Sequence, residues 1–414
     1  MSSTEPRVLI VCEHASARFG GEAILPWHYF RLLRQRGIDA RLIAHERTRD
    51  ELLKLLPAER ERMYFLKDTW INILAWKLSR FIPAQVSGFT LGYLSRLSTQ
   101  IAARQLARRL VVEHGMDVVH QPIPVSPREP SLLYDMNAPV IIGPMNGNMS
   151  YPPAFARKGK WRLLGHIVSA GRLASNMANR MSPGKLRAAV LLVANQRTRD
   201  ALPKGVTGEV VPLVENGVDL GIWRQRAAPV ASGSGTRFVF SGRLVDWKAV
   251  DLLLDALARV NPDINLDIVG DGAMRPALEE QASQLGITAR VRFRGWLPQD
   301  EAARVLGEAD ALVLPSLYEC GGAVVLEAMA CGLPVIATAW GGPADYLDSS
   351  CGVLISPESR EAVVAGFANA MEKLHQDPAL RRAMGITGRK KIEREYDWNI
   401  KIEQILSVYR RLAS

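Results

Sequence analysis

The sequence predicts an α/β protein built from two doubly wound parallel sheets. Short apolar strands alternate with helical patterns along the first half, and the same alternation begins again near Phe238. Strand, loop, helix and strand in that order form the repeating unit of a parallel sheet. Because 414 residues exceed what one hydrophobic core usually supports, we expect two domains, residues 1–213 and 214–396, with an Ala-, Pro-, Ser- and Gly-rich linker at 224–235. A last helix within 397–414 can cross back to the first domain.

The first half begins with a predicted strand at Arg7–Cys12, a glycine loop and a helix near Glu22–Arg36. Apolar runs predict further strands at residues 40–44, 117–120, 139–143, 190–194 and 209–212. In the second half, predicted strands lie at residues 238–241, 265–269, 291–293, 311–314 and 334–338. Predicted helices lie near residues 249–260, 274–285, 300–307, 323–330 and 398–412.

An amphipathic and basic insert is expected at about residues 60–110. The apolar arc of its predicted helix comprises Trp70, Ile71, Leu74, Leu78, Phe81 and Ile82. Asn72 lies opposite that arc on the helical wheel. Farther along, residues 151–199 contain ten Lys or Arg and no Asp or Glu. The first interpretation is a helix packed internally on the sheet. The second is an interfacial helix, because apolar burial and attraction to anionic lipid add.

Composition and charge are those of a folded protein whose first half is strongly basic. The hydrophobic share of 48% and the charged share of 23% are ordinary for a folded soluble protein. The net charge of +10 is uneven, because residues 1–200 hold 29 Lys and Arg against 15 Asp and Glu. Such a half can face nucleic acid, anionic lipid or a phosphorylated substrate. Without a signal-type leader or a long apolar run, we expect a cytoplasmic protein, peripheral on the inner membrane face if its acceptor is lipid-linked.

The most informative segment lies in the second half and contains two glycines and two glutamates. A predicted strand leads into a loop with Gly321 and Gly322, and a helix begins at Ala323. Backbone N–H groups at a helix start favour an anion, together with the helix dipole. Glu319 before the turn and Glu327 within the helix can accept hydrogen bonds from a hydroxyl-rich ligand. A tight turn beside a charged first helical turn is the alternative interpretation.

A second loop follows the strand at 238–241 and carries Gly242, Arg243 and Lys248. It occupies the carboxyl end of a strand, where open α/β sheets bind ligands. A guanidinium fork and an ammonium point charge can together neutralise a diphosphate. A solvated surface is the alternative for two such cations.

Weaker signals lie elsewhere. Asn216–Gly217 is a turn signal, and Gly20 and Gly21 before a helix form another backbone anion site. The segment Val269–Arg275 begins like a dinucleotide motif, but Arg stands where the third glycine belongs. The sequence has no P-loop, no zinc or serine-hydrolase motif and no Asp-x-Asp pair. We therefore expect neither a metal nor a cofactor.

Taken in order, these loops resemble the retaining glycosyltransferases of family 4, whose GT-B fold has two Rossmann-like domains facing across a cleft. The E-x7-E element corresponds to Glu319 through Glu327 and continues into EAMACGLPVIAT. Gly242–Lys248 is similar to the G-R-L-x3-K loop, and Glu215–Asp219 to the P-N-G-V-D turn. The resemblance covers nearly the whole chain and is strongest at about 212–356. Cys320 replaces the commoner Phe after the first glutamate.

The resemblance implies transfer of a sugar from a nucleoside-diphosphate sugar, held by the second domain, to a hydroxyl of a glycan or lipid-linked acceptor, held by the first. It implies that Arg243 and Lys248 hold the diphosphate and stabilise it as it leaves. Glu327 would accept from the ribose hydroxyls, and Glu319 with the amides of Gly321–Ala323 would hold the donor sugar.

The same resemblance implies roles for further residues. Gly20 and Gly21 would lie by the phosphates and the acceptor, and His120 close to the reacting sugar. Asn216 and Gly242 would belong to the loops that bind the nucleotide. Retention without an obvious nucleophile fits front-face attack, with the leaving diphosphate as base.

Two other functions remain open at the level of sequence. A nucleotide-sugar epimerase or a phosphorylase of similar architecture would use the same donor loops. The positive first half can instead bind an anionic polymer without catalysis, although no nucleic-acid partner is expected, since no recognisable reading motif accompanies the cations.

Overall fold

The computed structural model describes residues 5–18, 21–80, 91–156, 175–225 and 235–414. These residues form two compact units. The first comprises the described parts of Met1–Asn148, Arg162–Glu215 and Ile402–Ser414, and the second those of Met149–Trp161 and Asn216–Lys401.

The first unit is built on a parallel sheet. Its strands are β1 Val8–Val11, β2 Ala40–His45, β3 Met63–Leu66, β4 Val118–Gln121, β5 Val140–Met145, β6 Val190–Val193 and β7 Glu209–Pro212. They lie in the order β3-β2-β1-β4-β5-β6-β7. The order reverses between β1 and β4, which makes the sheet doubly wound and creates a crevice at the carboxyl ends of these strands. Every residue of β1, β4, β5 and β6 is buried, because helices cover a parallel sheet on both faces.

Helices of the first unit are α1 Ile24–Gln35, α2 Arg49–Leu55, α3 Trp70–Ser79, α4 Leu91–His114, α5 Gly184–Arg187 and α6 Gln196–Arg199. Ala103, Ala107 and Leu110 of α4 are buried in the core against the sheet. Among the residues that the structure describes, no helix combines the length and the apolar character needed to cross a bilayer.

The second unit repeats this plan with its own parallel sheet. Its strands are β8 Thr236–Ser241, β9 Ile264–Val269, β10 Val291–Gly295, β11 Ala311–Leu314, β12 Val335–Thr338 and β13 Gly352–Ile355. They lie in the order β10-β9-β8-β11-β12-β13. Its helices are α7 Val250–Leu257, α8 Arg275–Gln284, α9 Gln299–Glu308, α10 Ala323–Ala330, α11 Gly342–Tyr346, α12 Arg360–Gln376 and α13 Pro378–Glu395. The last helix, α14, spans Trp398–Ala413 and contributes its residues from Ile402 onward to the first unit. The prediction of two doubly wound parallel sheets is confirmed.

Regular elements of the first unit lie within residues 60–110, where the sequence predicts an insert. β3 (Met63–Leu66) pairs with β2 as a regular edge strand of the sheet, and α4 is a core helix. Only α3 remains as an added element, and it packs on α4. The sequence pattern missed β3 because four residues between polar segments carry too little periodicity to indicate a strand.

Helix α3 exposes apolar side chains that the sequence assigns to one arc. Asn72 and Ala75 are its buried residues, whereas Trp70 and Leu74 of the predicted apolar arc are exposed. Asn72 is held by hydrogen bonds to α4, so the polar side of the helix faces the protein. Phe81 and Ile82, also assigned to the arc, lie outside the described residues.

The predicted linker starts too late. Residues 216–225 already belong to the second unit, where Trp223 is buried. The Val218 amide donates to the Tyr396 carbonyl at 2.8 Å, and the Trp398 amide donates to the Val218 carbonyl at 3.1 Å. These backbone bonds fix the segment before residue 224, while residues 226–234 lie outside the described part.

Candidate active site

The loop after β8 is held by close backbone packing. The Gly242 amide donates to the Val269 carbonyl, and the Leu244 amide to the Asp271 carbonyl, both at 2.9 Å. A Cβ at Gly270 would lie 1.9 Å from the Gly242 carbonyl oxygen, a clash that only glycine avoids. Gly270 and Gly272, the glycines that resemble a dinucleotide motif, therefore support this loop because they let their own backbone contact that of Gly242 and Leu244.

The side chains of Arg243 and Lys248, both from this loop, have different surroundings. Arg243 is exposed, and its guanidinium lies 5.9 Å from the centre of the Trp247 ring. Lys248 is partly buried and forms an ion pair with Glu319 from the loop after β11. Since β8 and β11 are neighbours in the sheet, the loops that follow them meet at its carboxyl edge. The structure thus brings Lys248 and Glu319 together, with Arg243 in the same loop as Lys248.

The Glu319 turn rests on a second glycine loop. The Gly342 amide donates to the Glu319 carbonyl at 2.9 Å. A Cβ at Gly341 would lie 2.1 Å from that same oxygen, and a Cβ at Gly342 would lie 2.0 Å from the Gly321 oxygen. Any side chain at either position would displace the turn that presents the Glu319 carboxylate.

The helix α10 starts directly after this turn. Gly322 has φ +72°, a left-handed conformation that suits glycine, and Ala323 is the first helical residue. The first N–H groups of a helix have no carbonyl partner within it, so the amides at Gly321–Ala323 form an anion-binding end next to Lys248 and Glu319.

Glu327 lies one turn into α10. Burial raises the pKa of this carboxyl group to about 7. It forms no hydrogen bond to any residue in the described part of the chain, so both of its oxygens can accept from a ligand hydroxyl. A buried carboxyl group without a hydrogen-bond partner among the described residues is costly for stability, which makes Glu327 a candidate binding residue.

Asn216 lies on a turn packed against the end of the second unit. Its side-chain amide donates a hydrogen bond to the Tyr346 hydroxyl, at the end of α11, at 3.2 Å. A Cβ at Gly217 would lie 2.6 Å from Lys401 Cδ, so this turn also needs glycine for close packing. Asn216 is thereby connected to the Glu319 turn through α11, whose first residue is Gly342.

In the first unit, the glycine loop after β1 is anchored by a residue that the sequence did not indicate. Glu51 of α2 accepts hydrogen bonds from the Ser16 hydroxyl at 2.9 Å and from the amides of Ala17 and Arg18 at 2.9 and 3.1 Å. Gly21 has φ +70° with open space around it, and Gly20 lies outside the described residues. An acidic residue in a short amphipathic helix carries no motif that could have revealed this anchoring.

His120 lies within β4, in the core of the first unit, and its predicted place by the reacting sugar stays a prediction. It is fully buried between the rings of Tyr29 and Tyr409. Its Nε2 donates to the Gly143 carbonyl at 2.6 Å, so Nδ1 accepts from the Tyr409 hydroxyl at 2.6 Å. Burial lowers the pKa of His120 to about 4, and the neutral ring ties α14 to the sheet.

A small pocket of about 30 Å³ opens at the carboxyl ends of β1, β3 and β4 in the first unit. Its polar side chains are Glu13, Thr99, Gln100, Gln121 and Glu129. Apolar side chains, Leu66 and Leu132 among them, complete the lining. Carboxylates and amides beside an apolar wall suit a ligand that carries hydroxyl groups on one side.

Two parallel-sheet units with cations and helix-start amides at the carboxyl edge of the second define a protein with the GT-B glycosyltransferase fold. Residues 222–391 match the family described as glycosyl transferases group 1. This match, within the second unit, confirms the resemblance to glycosyltransferases that the motifs indicate.

The chain is similar in sequence to curated glycosyl-transferring enzymes and in fold to solved structures. The chain is 32% identical to alpha-maltose-1-phosphate synthase of Mycolicibacterium smegmatis, covering 49% of this chain and 57% of that one. It is 31% identical to glycogen synthase of Mycobacterium tuberculosis, covering 48% of each. The chain thus spans about half the length of these curated relatives. Anabaena HepE in complex with UDP has a similar fold, with a TM-score of 0.68, 16% identity and coverage of 98% and 100%. Sucrose-phosphate synthase of Thermosynechococcus elongatus has a TM-score of 0.67, 20% identity and 99% coverage of both chains.

Proposed function

We propose that the protein is a retaining glycosyltransferase that moves a sugar from a nucleoside-diphosphate sugar to a hydroxyl of a glycan or lipid-linked acceptor. The observation that carries this proposal is the meeting of Lys248, Glu319 and the start of α10 at the carboxyl edge of the second sheet. The group 1 family match over the same unit and the UDP and UDP-glucose complexes of HepE support the donor class.

The donor diphosphate would lie against Arg243, Lys248 and the amides of Gly321–Ala323. The Lys248 ammonium has three N–H donors, and its ion pair with Glu319 leaves others for phosphate oxygens. Glu319 would fix the direction of that ammonium and accept from a hydroxyl of the donor sugar. Glu327 would accept from the ribose hydroxyls, which give its unpartnered carboxylate the donors that it lacks.

Bond breaking would develop negative charge on the leaving diphosphate. Fixed cations and helix-start amides stabilise that charge more than they stabilise the bound donor, which lowers the barrier. A leaving phosphate oxygen would take the proton of the acceptor hydroxyl as that hydroxyl attacks the same face of the anomeric carbon. No side-chain nucleophile or base is then required, and the cations can take the place of a divalent metal.

The acceptor would bind the first unit at the carboxyl edge of its sheet, where the small pocket carries Glu13 and Glu129. Their carboxylates can accept from sugar hydroxyls, and the apolar wall suits the faces of a sugar ring. A cytoplasmic protein that acts on a lipid-linked acceptor would associate peripherally with the membrane, in polysaccharide or glycolipid assembly.

Product analysis tests the proposal. Purified protein is incubated with UDP-glucose, GDP-mannose or ADP-glucose and candidate acceptors, with EDTA present. We expect release of nucleoside diphosphate only when acceptor is present, and a product whose anomeric configuration matches the donor. An altered nucleotide sugar formed without acceptor would mean an epimerase. In a parallel incubation of a glycan with inorganic phosphate, release of sugar 1-phosphate would mean a phosphorylase. Nucleotides that leave the melting temperature unchanged would argue for non-catalytic binding.

A further inference from the structure

Helix α3 turns its apolar side to solvent. Its exposed apolar side chains are Trp70, Ile73, Leu74, Trp76 and Leu78. We call these residues, with Lys77 and Arg80, the outward face of α3. Trp70 is 72% exposed and Trp76 is 58% exposed, which is unusual for the largest apolar side chain. Several large apolar residues on one helix face mark an interaction surface, whereas single exposed ones need no explanation.

The buried side of α3 is polar, the reverse of a helix on a water-soluble core. The Asn72 side-chain amide donates to the Ser95 hydroxyl at 2.8 Å and to the Thr99 hydroxyl at 3.0 Å. The Thr69 hydroxyl lies 2.6 Å from the Ser98 hydroxyl. Polar side chains that join two helices, with apolar side chains pointing away, are typical of helices whose outer surroundings are lipid.

The charge of this region fits an anionic partner. Residues 69–112 contain six Lys or Arg and no Asp or Glu. Lys77 is exposed among the apolar side chains, and the Arg80 guanidinium lies 4.0 Å from the centre of the Trp76 ring. Each cation near an anionic membrane adds to the attraction, and Trp favours the membrane interface.

We propose that the outward face of α3 lies on the surface of an anionic lipid bilayer. Apolar side chains would enter the boundary between headgroups and acyl chains, and Lys77 and Arg80 would stay at the headgroups. A second copy of the chain fits less well, because two basic faces without acidic residues would repel each other. This inference goes beyond the proposed function and does not depend on it.

The position of α3 connects the membrane to the pocket in the first unit. Thr99 accepts the hydrogen bond from Asn72 and also lines that pocket. If the proposed function holds, an acceptor anchored in the bilayer would reach the pocket along α4.

Co-sedimentation with vesicles tests the proposal on the full chain. We expect binding to vesicles of equal phosphatidylcholine and phosphatidylglycerol, little binding to phosphatidylcholine alone, and weaker binding at high salt. The double variant Trp70→Ser, Trp76→Ser should bind the anionic vesicles at least about tenfold more weakly, because the apolar contact is lost. Lys77→Gln with Arg80→Gln should reduce binding and its salt dependence.

Trp296→Ser is the matched control, since Trp296 is 71% exposed but lies in the second unit. It should bind anionic vesicles like the unaltered protein. Circular dichroism and UDP binding check that each variant is folded, and they also separate this proposal from the proposed function. Unaltered protein that binds UDP but not anionic vesicles would overturn the proposal. A soluble dimer abolished by the Trp70 and Trp76 substitutions, without vesicle binding, would assign the face to a second copy instead.

Discussion

The two units use the same doubly wound sheet but differ at its carboxyl edge. In the second unit, exposed and paired charges from Arg243, Lys248 and Glu319 lie beside a helix start. In the first unit, the corresponding edge holds a pocket with Glu13 and carries the inverted helix α3 nearby. The two units thus share a sheet plan and differ in their loops and added elements, which is where a fold carries its function.

The family match also distinguishes the two units. A diphosphate always needs cations and amides in fixed positions, and the group 1 family match falls within the second unit, at residues 222–391. The first unit lies outside this match.

The largest expected effect comes from removing a cation of the second unit. Lys248→Met or Arg243→Met should reduce turnover about 100-fold or more, since each loses a group that stabilises charge developing in the transition state. Lys390→Met is the control, because Lys390 is exposed on α13 of the same unit. Steady-state kinetics measures the effect. Near-normal turnover in both variants would reject the phosphate role.

A glycine substitution sharpens the same comparison through the backbone. Gly342→Ala would place a Cβ 2.0 Å from the Gly321 oxygen, so the Glu319 turn must shift. We expect turnover to fall at least about tenfold and the melting temperature to fall by several degrees. Gly307→Ala is the control: a Cβ there meets nothing within 4 Å, and Gly307 lies in α9. That change should preserve activity and slightly raise stability. Equal behaviour of the two variants would contradict the packing argument.

Glu327→Gln should separate binding from stability. Because burial raises the pKa of Glu327 from 4.5 to about 7, the folded protein holds a proton there that the unfolded chain releases between pH 4.5 and 7. Stability therefore falls as the pH rises through this window, and the cost remains in full above pH 7. At pH 8 we expect the variant to be more stable than the unaltered protein, yet to bind UDP about tenfold more weakly.

Urea unfolding at several pH values and calorimetric titration with UDP measure these two effects. Glu280→Gln, at an exposed position of α8, should change neither. A variant that binds UDP normally would remove Glu327 from the donor site. One that is less stable at pH 8 would contradict the burial of an unpartnered charge.

The sequence predicts much of the second unit because its local signals agree with the fold. The bounds of β11 and α10 coincide with the predicted ones, since apolar runs, Gly322 and the helix start all mark the same positions. The long helices α12 and α13 are missing from the predicted elements, although their periodicity is helical. The glycine contacts below the Glu319 turn join residues about 20 apart, which no local pattern specifies.

The first unit was harder to predict because its decisive contacts are distant in sequence. His120 at a strand end resembles a site residue, but its burial depends on Tyr409, 289 residues later. For α3, periodicity identifies the two faces of the helix, but only its contacts with Ser95 and Thr99 decide which face is inside. Periodicity shows that polar and apolar residues lie on different faces of a helix. Which face is buried depends on the element against which the helix packs.

The smallest expected effect is on the pH dependence of stability and comes from a buried lysine of the first unit. Lys185 is fully buried in α5, and its Nζ donates to the Ser126 carbonyl at 2.5 Å. Burial lowers the pKa of Lys185 to about 7, although Glu129 and Glu22 attract the charged form. Burial likewise raises the pKa of Glu22, whose carboxylate accepts from the Val125 amide at 3.2 Å.

Between pH 7 and about 10, the unfolded chain holds a proton on Lys185 that the folded protein has released. Stability should therefore rise with pH across this window and stay at its lowest level below pH 7, where the folded protein must bury the charged ammonium. Lys185→Met should flatten this dependence, while Lys204→Met, at an exposed position, should leave it unchanged. Urea unfolding at intervals between pH 6 and 10 measures the slope. If Lys185→Met keeps the slope of the unaltered protein, Lys185 is charged throughout, and its pairing with Glu22 and Glu129 outweighs its burial.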